Sequence, residues 1–348
     1  ASSAVRTVTE MVDKDGTVIR IDGDVIESWI STEVPHELEC LTEGMYVLIE
    51  TRAPEGYIEA EKVYFTISGN MTVDDIPMVE MFDDDTKIEI RKVDSETGNP
   101  LKCAKMQLIL EASGEIMKEW ITDEPGAIQF FGLPAGVYLV KEVEAPEGYQ
   151  IPEGPMRITV TKDYKQQTFV MENRMTELMI DKLDEETREP VTGAVLQLTD
   201  GEGNQVAKWV TTGEPELIRG LKAGWYILEE ILAADGYLLL KEPVRIEITE
   251  KAGIQTVTIT NRKLEVEVTK TDKETGENLV GARLQLIRDA DGMVLKEWVS
   301  GKIPEIFKGL SVGEYTIREL TAPEGYAVTG RLNFCVSGTE EKQEINLV

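Results

Sequence analysis

Short runs in which apolar and polar residues alternate recur along the chain. VYLVKEV (137–143), MRITVT (156–161), VRIEIT (244–249) and VTIT (257–260) are examples. A period of two puts every second side chain on one face of an extended strand, so these runs predict half-buried β-strands. Turn phrases separate them: SETGNP (95–100), ASGE (112–115), PAG (134–136) and KETGEN (273–278). No segment sustains a 3.6-residue period, and the predicted fold is all-β.

The pattern is written four times. APEGY stands at 53–57, 145–149 and 322–326, with AADGY at 233–237, so Tyr57, Tyr149, Tyr237 and Tyr326 follow one another at 92, 88 and 89 residues. Trp29, Trp120, Trp209 and Trp298 keep step in ESWIST, KEWITD, AKWVTT and KEWVSG. Tandem domains at 1–85, 86–174, 175–262 and 263–348 account for both series. About seven short strands in fewer than about 90 residues predict a β-sandwich of immunoglobulin-like type. The junctions ENRMTELMI (172–180) and TNRKLEVEV (260–268) leave little linker, which predicts an elongated rod. Domains this small bury little surface and are marginal without a staple.

Three polar residues break the apolar faces at fixed register. Ile88–Ile90–Lys92, Leu178–Ile180–Lys182 and Val266–Val268–Lys270 each carry a core face onto a lysine. Phe169–Met171–Asn173 and Val257–Ile259–Asn261 do the same with asparagine, and Val79–Met81–Asp83 with aspartate. Tyr46–Leu48–Glu50, Tyr138–Val140–Glu142, Tyr226–Leu228–Glu230 and Tyr315–Ile317–Glu319 place a glutamate seven residues before each phrase tyrosine. A lone lysine at a strand end snorkels to water. A buried Lys–Glu ion pair is a second plain reading, one that roughly breaks even against apolar residues. The short asparagine fits neither.

A chemical reading uses all three. A desolvated lysine becomes a neutral nucleophile. A neighbouring carboxyl kept protonated by the same burial hydrogen-bonds the asparagine carbonyl and shuttles protons. Fixed contact in a core supplies the effective concentration an inert amide needs. The product is a Lys–Asn isopeptide bond with loss of ammonia, made once per site; an aspartate acceptor releases water.

Composition narrows the classes. Hydrophobic residues make up 41% of 348, so a folded chain is expected. A net charge of −29, from 65 acidic and 36 basic residues, argues against a nucleic-acid partner. No run is long and apolar enough for a membrane span, and no secretory segment opens the sequence, so the chain reads as the mature part of something longer. Cys40, Cys103 and Cys335 lie far apart and read as unpaired structural residues; together with the single His36 they give no disulfide framework, metal site or catalytic triad. No cofactor is expected. The tryptophans read as sheet or core packing, with Trp225 as an additional surface feature.

The combined pattern resembles the Cna-B type (SpaA-like, prealbumin-like) domains of Gram-positive surface adhesins and pilins. KVDSETG, KLDEETR and KTDKETG carry it, as do GLPAGVYLVKEVEAPEGY, MEN and ITN, over essentially the whole chain. The resemblance implies intramolecular bonds Lys92–Asn173 with Glu142 and Lys182–Asn261 with Glu230. It further implies a stalk or pilus shaft, extracellular and attached to the cell wall. The outer domains depart from the pattern. The first has Glu50 and Asp83 but no IxIxK strand, its early part VDKDGTVIRIDGDVIESW is longer than its counterparts, and Lys14 sits in a turn-like DKDG. The fourth has Lys270 and Glu319, with its acceptor expected one residue after Val348. No bond is expected in either. No sorting signal is present, so wall attachment is implied by the resemblance alone; the lack of a YPK-like motif favours a monomeric stalk over a pilus shaft. The alternative reading is an adhesin whose loops hold a host protein or glycan; an enzyme with external substrates would need a polar cluster unique to one domain.

Overall fold

The computed structural model describes residues 1–348 except 73, 74, 76, 164 and 341. Its described residues fall into two compact units: Ala1–Pro146 with Ile151–Arg174, and Glu147–Gln150 with Met175–Val348.

In the first unit, residues from 87 onward build two facing sheets. Strand Lys87–Asp94 lies between Ala127–Phe131, antiparallel, and Gln167–Asn173, parallel. The opposing four-stranded sheet runs Met156–Val160, Gly136–Glu144, Lys105–Leu110, Glu115–Ile121. The alternation read from the sequence decides what faces inward: Ile88, Ile90 and Met171 from one sheet meet Met106, Leu108, Tyr138, Val140 and Ile158 from the other. The Tyr138 hydroxyl donates to the Pro134 carbonyl at 2.9 Å and closes the PAG turn from inside.

The second unit contains the same sandwich twice. Glu177–Asp184 lies beside the parallel strand Ile254–Asn261, and Glu265–Lys270 beside the parallel strand Lys342–Leu347. Each has its own apolar core, one around Leu178, Leu196 and Leu228, the other around Val266, Leu284 and Ile317. Trp298 is buried edge-on against Phe307, and Trp209 packs at the margin of its core.

Residues 1–85 depart further from the repeat than the missing first strand implies. They form the four-stranded sheet Val18–Ile30, Ser2–Val12, Gly44–Arg52, Val63–Ile67, and a two-stranded piece joining Tyr57–Ile58 to Asp84–Asp85. Among the described residues no three-stranded sheet covers the other face. The long early stretch forms the arms of a hairpin of 11 and 13 residues, which leaves Met11, Val12, Ile19 and Ile21 exposed. Trp29 therefore meets no second sheet and stacks on His36 at 4.2 Å.

Candidate functional site

The parallel pairing of first and last strands brings lysine and asparagine together. Lys92 stands opposite Met171, and Asn173 opposite Asp94, so the two side chains meet on the diagonal of one face. Lys182 and Asn261 repeat this, opposite Ile259 and Asp184. The glutamate comes from the facing sheet, where Glu142 pairs in register with Met106 and Glu230 with Leu196.

All six side chains are buried. The Lys92 ammonium contacts the Asn173 carbonyl oxygen and lies 3.7 Å from Glu142 Oε1. Asn173 Nδ2 donates to both Glu142 oxygens, at 2.9 and 2.8 Å. In the next repeat Lys182 contacts the Asn261 carbonyl oxygen, and its ammonium is 3.0 Å from Glu230. Asn261 Nδ2 donates to Glu230 at 2.9 and 2.8 Å and to the Leu238 carbonyl at 2.7 Å. Burial pulls Lys92 down to about 8 against the opposing influence of Glu142. Lys182 is lowered by burial as well, with Glu230 opposing. Both amines are thus easier to deprotonate than an exposed lysine.

One expectation is corrected. The glutamates bond the amide nitrogen of each asparagine and not its carbonyl oxygen. A carboxamide N–H donates and its C=O accepts, so Nδ2 faces the carboxyl oxygens while Oδ1 faces the lysine. The carboxyl consequently touches the carboxamide nitrogen of each asparagine.

The outer sites are arranged differently. Glu319 is buried, and its Oε2 accepts from the Thr329 backbone N–H at 2.7 Å and its hydroxyl at 2.5 Å. Lys270 Nζ donates a hydrogen bond to Thr329 Oγ1 at 2.9 Å and lies 3.9 Å from Glu319. Glu319 Oε1 has no hydrogen-bond partner among the described residues; its counterparts in the middle repeats accept from asparagine there. Lys270 pairs with Leu347, so the diagonal position used by Asn173 and Asn261 falls two residues further along. In the first repeat Glu50 is buried opposite Ser3 and accepts from the Ala60 N–H at 2.8 Å. Burial raises its pKa, and Asp83, hydrogen-bonded to it, raises it further. Glu50 and Asp83 do come together. Lys14 lies in the exposed Asp13–Gly16 turn of the hairpin, far in sequence from either.

Sequence reasoning missed a second conserved-in-chain role, that of the aspartate two residues after each lysine. Asp184 Oδ1 caps its turn through the N–H groups of Glu186 and Thr187. Its Oδ2 receives the hydroxyl of Tyr237 at 3.0 Å and the ammonium of Lys263 at 3.1 Å. Burial alone would raise this carboxyl, but those donors hold it well below the usual range. Asp272 is likewise lowered to about 2 by the Thr275 N–H and the Tyr326 hydroxyl. The K-x-D spacing and the APEGY tyrosine were the available signals. The three cysteines are free, as read from the sequence, and exposed. Trp225 is exposed with the Arg245 guanidinium 4.0 Å above its ring. No group of His, Cys, Asp and Glu among the described residues could hold a metal ion, and no helix there is long and apolar enough to cross a membrane.

Compared with models of protein families, residues 86–175, 176–263 and 264–348 each match SpaA, a prealbumin-like fold domain. The chain belongs to the SpaA family of prealbumin-like fold domains. Its SpaA repeats are structural domains of the adhesin and pilin type. No curated protein matches the chain. Among solved structures, the Bacillus anthracis TIE protein is 18% identical with a TM-score of 0.43, over 99% of this chain and 68% of that one. BcpA, the major pilin subunit of Bacillus cereus, is 15% identical with a TM-score of 0.35, over 75% of this chain and 98% of its own. The pilus adhesin SpaC of Lactobacillus rhamnosus GG is 14% identical with a TM-score of 0.36, over 97% of this chain and 51% of its own.

Proposed function

We propose that the chain is the load-bearing repeat region of a Gram-positive surface adhesin or pilin, divided at 86, 175 and 263, with its middle repeats closed by Lys92–Asn173 and Lys182–Asn261 isopeptide bonds. One observation carries this reading: in two repeats a buried lysine, asparagine and glutamate converge where the first and last strands run side by side. Neutral Lys Nζ attacks Asn Cγ, a C–N bond forms, the Cγ–Nδ2 bond breaks, and ammonia leaves with a proton relayed by Glu142 or Glu230. Each site reacts once, so this is self-modification and not turnover. The cell exterior is the setting for such domains, and a bond independent of redox state suits it where cysteines are few and unpaired.

The test is single-molecule stretching of the full chain. With each bond made, the residues between its partners stay out of the extensible length, so the middle repeats release little chain at rupture. Glu142→Ala with Glu230→Ala is expected to return about 270 Å per repeat, the span of about 80 extended residues. Wild-type middle repeats that extend to that full length would contradict the proposal.

A further inference from the structure

Two of the repeats carry an arginine at the same place on the outer face of the four-stranded sheet. Arg157 stands opposite Leu139, and Arg245 opposite Ile227. The Arg157 guanidinium grips Glu111 with two prongs, Nε to Oε1 at 2.7 Å and a terminal nitrogen to Oε2 at 2.9 Å. Glu111 follows Leu110, the partner of Tyr138; after Asp200, the partner of Tyr226, the chain has Gly201 instead. The last repeat also has an acid at this point, Asp289, which accepts from the Thr316 hydroxyl at 2.8 Å. Of the three SpaA repeats, the one at 176–263 alone lacks a carboxylate there.

Nothing in the backbone demands that glycine. Gly201 lies outside the left-handed region, and a Cβ on it would meet only the Trp225 carbonyl oxygen, at an ordinary 3.4 Å. Its neighbour Asp200 is no substitute, because the turn occupies both of its oxygens through Glu202 N–H, Asn204 N–H and Asn204 Nδ2. Trp225, which replaces Val137, holds the Arg245 guanidinium 4.0 Å from its ring. Among the described residues Arg245 has no carboxylate partner, so its planar N–H fork is both positioned and open. The Trp225 ring is 45% exposed, and Glu247 stands opposite it in register on the same face.

We propose that Arg245, Trp225 and the space left at Gly201 form a binding site for a carboxylated sugar, a uronic or sialic acid residue. The Arg157–Glu111 pair shows the geometry in which such a fork grips a carboxylate. The exposed indole offers a flat apolar surface to a sugar ring, and the Glu247 carboxylate accepts from ring hydroxyls. Glu247 also decides the class of ligand. An acidic peptide side chain brings a carboxylate without hydroxyl donors and is repelled by Glu247, whereas an acidic sugar satisfies both groups. The net charge of −29 disfavours a long polyanion, so the fitting ligand carries a single acidic residue. The site is independent of any covalent bond at Lys92 or Lys182.

The experiment titrates the full isotope-labelled chain with the methyl glycosides of glucuronic acid and of N-acetylneuraminic acid, following the Trp225 indole N–H and the Arg245 Nε–H by NMR. At least one of the two sugars should shift both signals saturably. Methyl glucoside, which lacks the carboxylate, and N-acetylglutamate methylamide, which lacks the hydroxyls, should need at least about tenfold higher concentrations. Gly201→Glu supplies an internal carboxylate and Arg245→Gln removes the fork. Each should raise the Kd read at the indole at least about tenfold, with the Leu196 and Leu228 amides unmoved as the sign of an intact fold. No shift with either acidic sugar would overturn the proposal. So would equal binding of methyl glucoside or of the glutamate derivative, or undiminished affinity in Gly201→Glu.

Discussion

Lys92 and Asn173 are 81 residues apart in the chain and in contact in the fold, each only 1% exposed. They sit on adjacent parallel strands that begin and end the repeat. A link between them encloses nearly the whole sandwich, and Lys182 and Asn261, 79 residues apart, enclose the next one.

The thermal stability of these repeats should depend on the closing glutamates. Closing a loop of about 80 residues is worth roughly 4 kcal/mol by chain entropy. For a domain of this size that corresponds to a fall in Tm on the order of 20 °C when Glu142→Ala leaves the second repeat open. Scanning calorimetry of the full chain measures it; a transition that moves by less than about 5 °C would show that no covalent closure was lost.

Asp184 and Tyr237 offer a test that involves no covalent bond. Tyr237→Phe removes one hydrogen bond from a carboxylate that keeps its two N–H caps and Lys263, and a loss of about 1 kcal/mol is expected. Asp184→Ala removes the caps as well and should cost about 2–3 kcal/mol. Amide exchange of Leu178 and Ile180 reports both, and equal effects would contradict the assignment of the turn caps to Asp184.

The first repeat should show an unusual pH dependence. A carboxyl with a folded pKa above the ordinary 4.5 binds its proton more tightly folded than unfolded. The stability from Glu50 is therefore present at and below that ordinary value, and is lost as pH rises through the raised folded one. Exchange of the Val47 and Leu48 amides, corrected for intrinsic rates, should slow on mild acidification from neutral pH. Glu50→Gln should remove this dependence; a variant that retains it would place its origin elsewhere.

Much of this was legible in the sequence because a strand's two-residue period assigns each side chain a face. Ile88, Ile90 and Lys92 were read as sharing one, and they do. Glu142 and Asn173 could be placed inward by the same reasoning, although their mutual contact depends on how two sheets face each other. The amide orientation was not legible, since it depends on which carboxamide atom faces the glutamate once the two sheets pack. Nor was the seating of the turn phrase: APEGY reads as a turn, while Gly56, Gly148 and Gly236 are buried against Gly132, Gly220 and Gly309, far along the chain. The hairpin Ser2–Ile30 escaped because its exposed Ile and Val residues alternate like those of a core strand.

Thr329 should matter to the fourth repeat. Its hydroxyl stands between Lys270 and Glu319, so Thr329→Ala takes a partner from two buried charged groups and should cost about 1–3 kcal/mol. Urea unfolding followed through Trp298 measures this. Peptide mapping of the wild-type chain should find Lys270 as a free amine, and a cross-linked Lys270 would contradict the site described for that repeat.

The most direct measurement is the intact mass of the purified chain. Two Lys–Asn bonds should lower it by about 34 Da from the sequence mass, about 17 Da for each ammonia released. The doubly substituted Glu142→Ala, Glu230→Ala chain should show no deficit beyond the substitutions themselves. A wild-type mass equal to the sequence mass would contradict the covalent closure of the middle repeats, leaving Lys92, Glu142 and Asn173 as a buried polar cluster and nothing more.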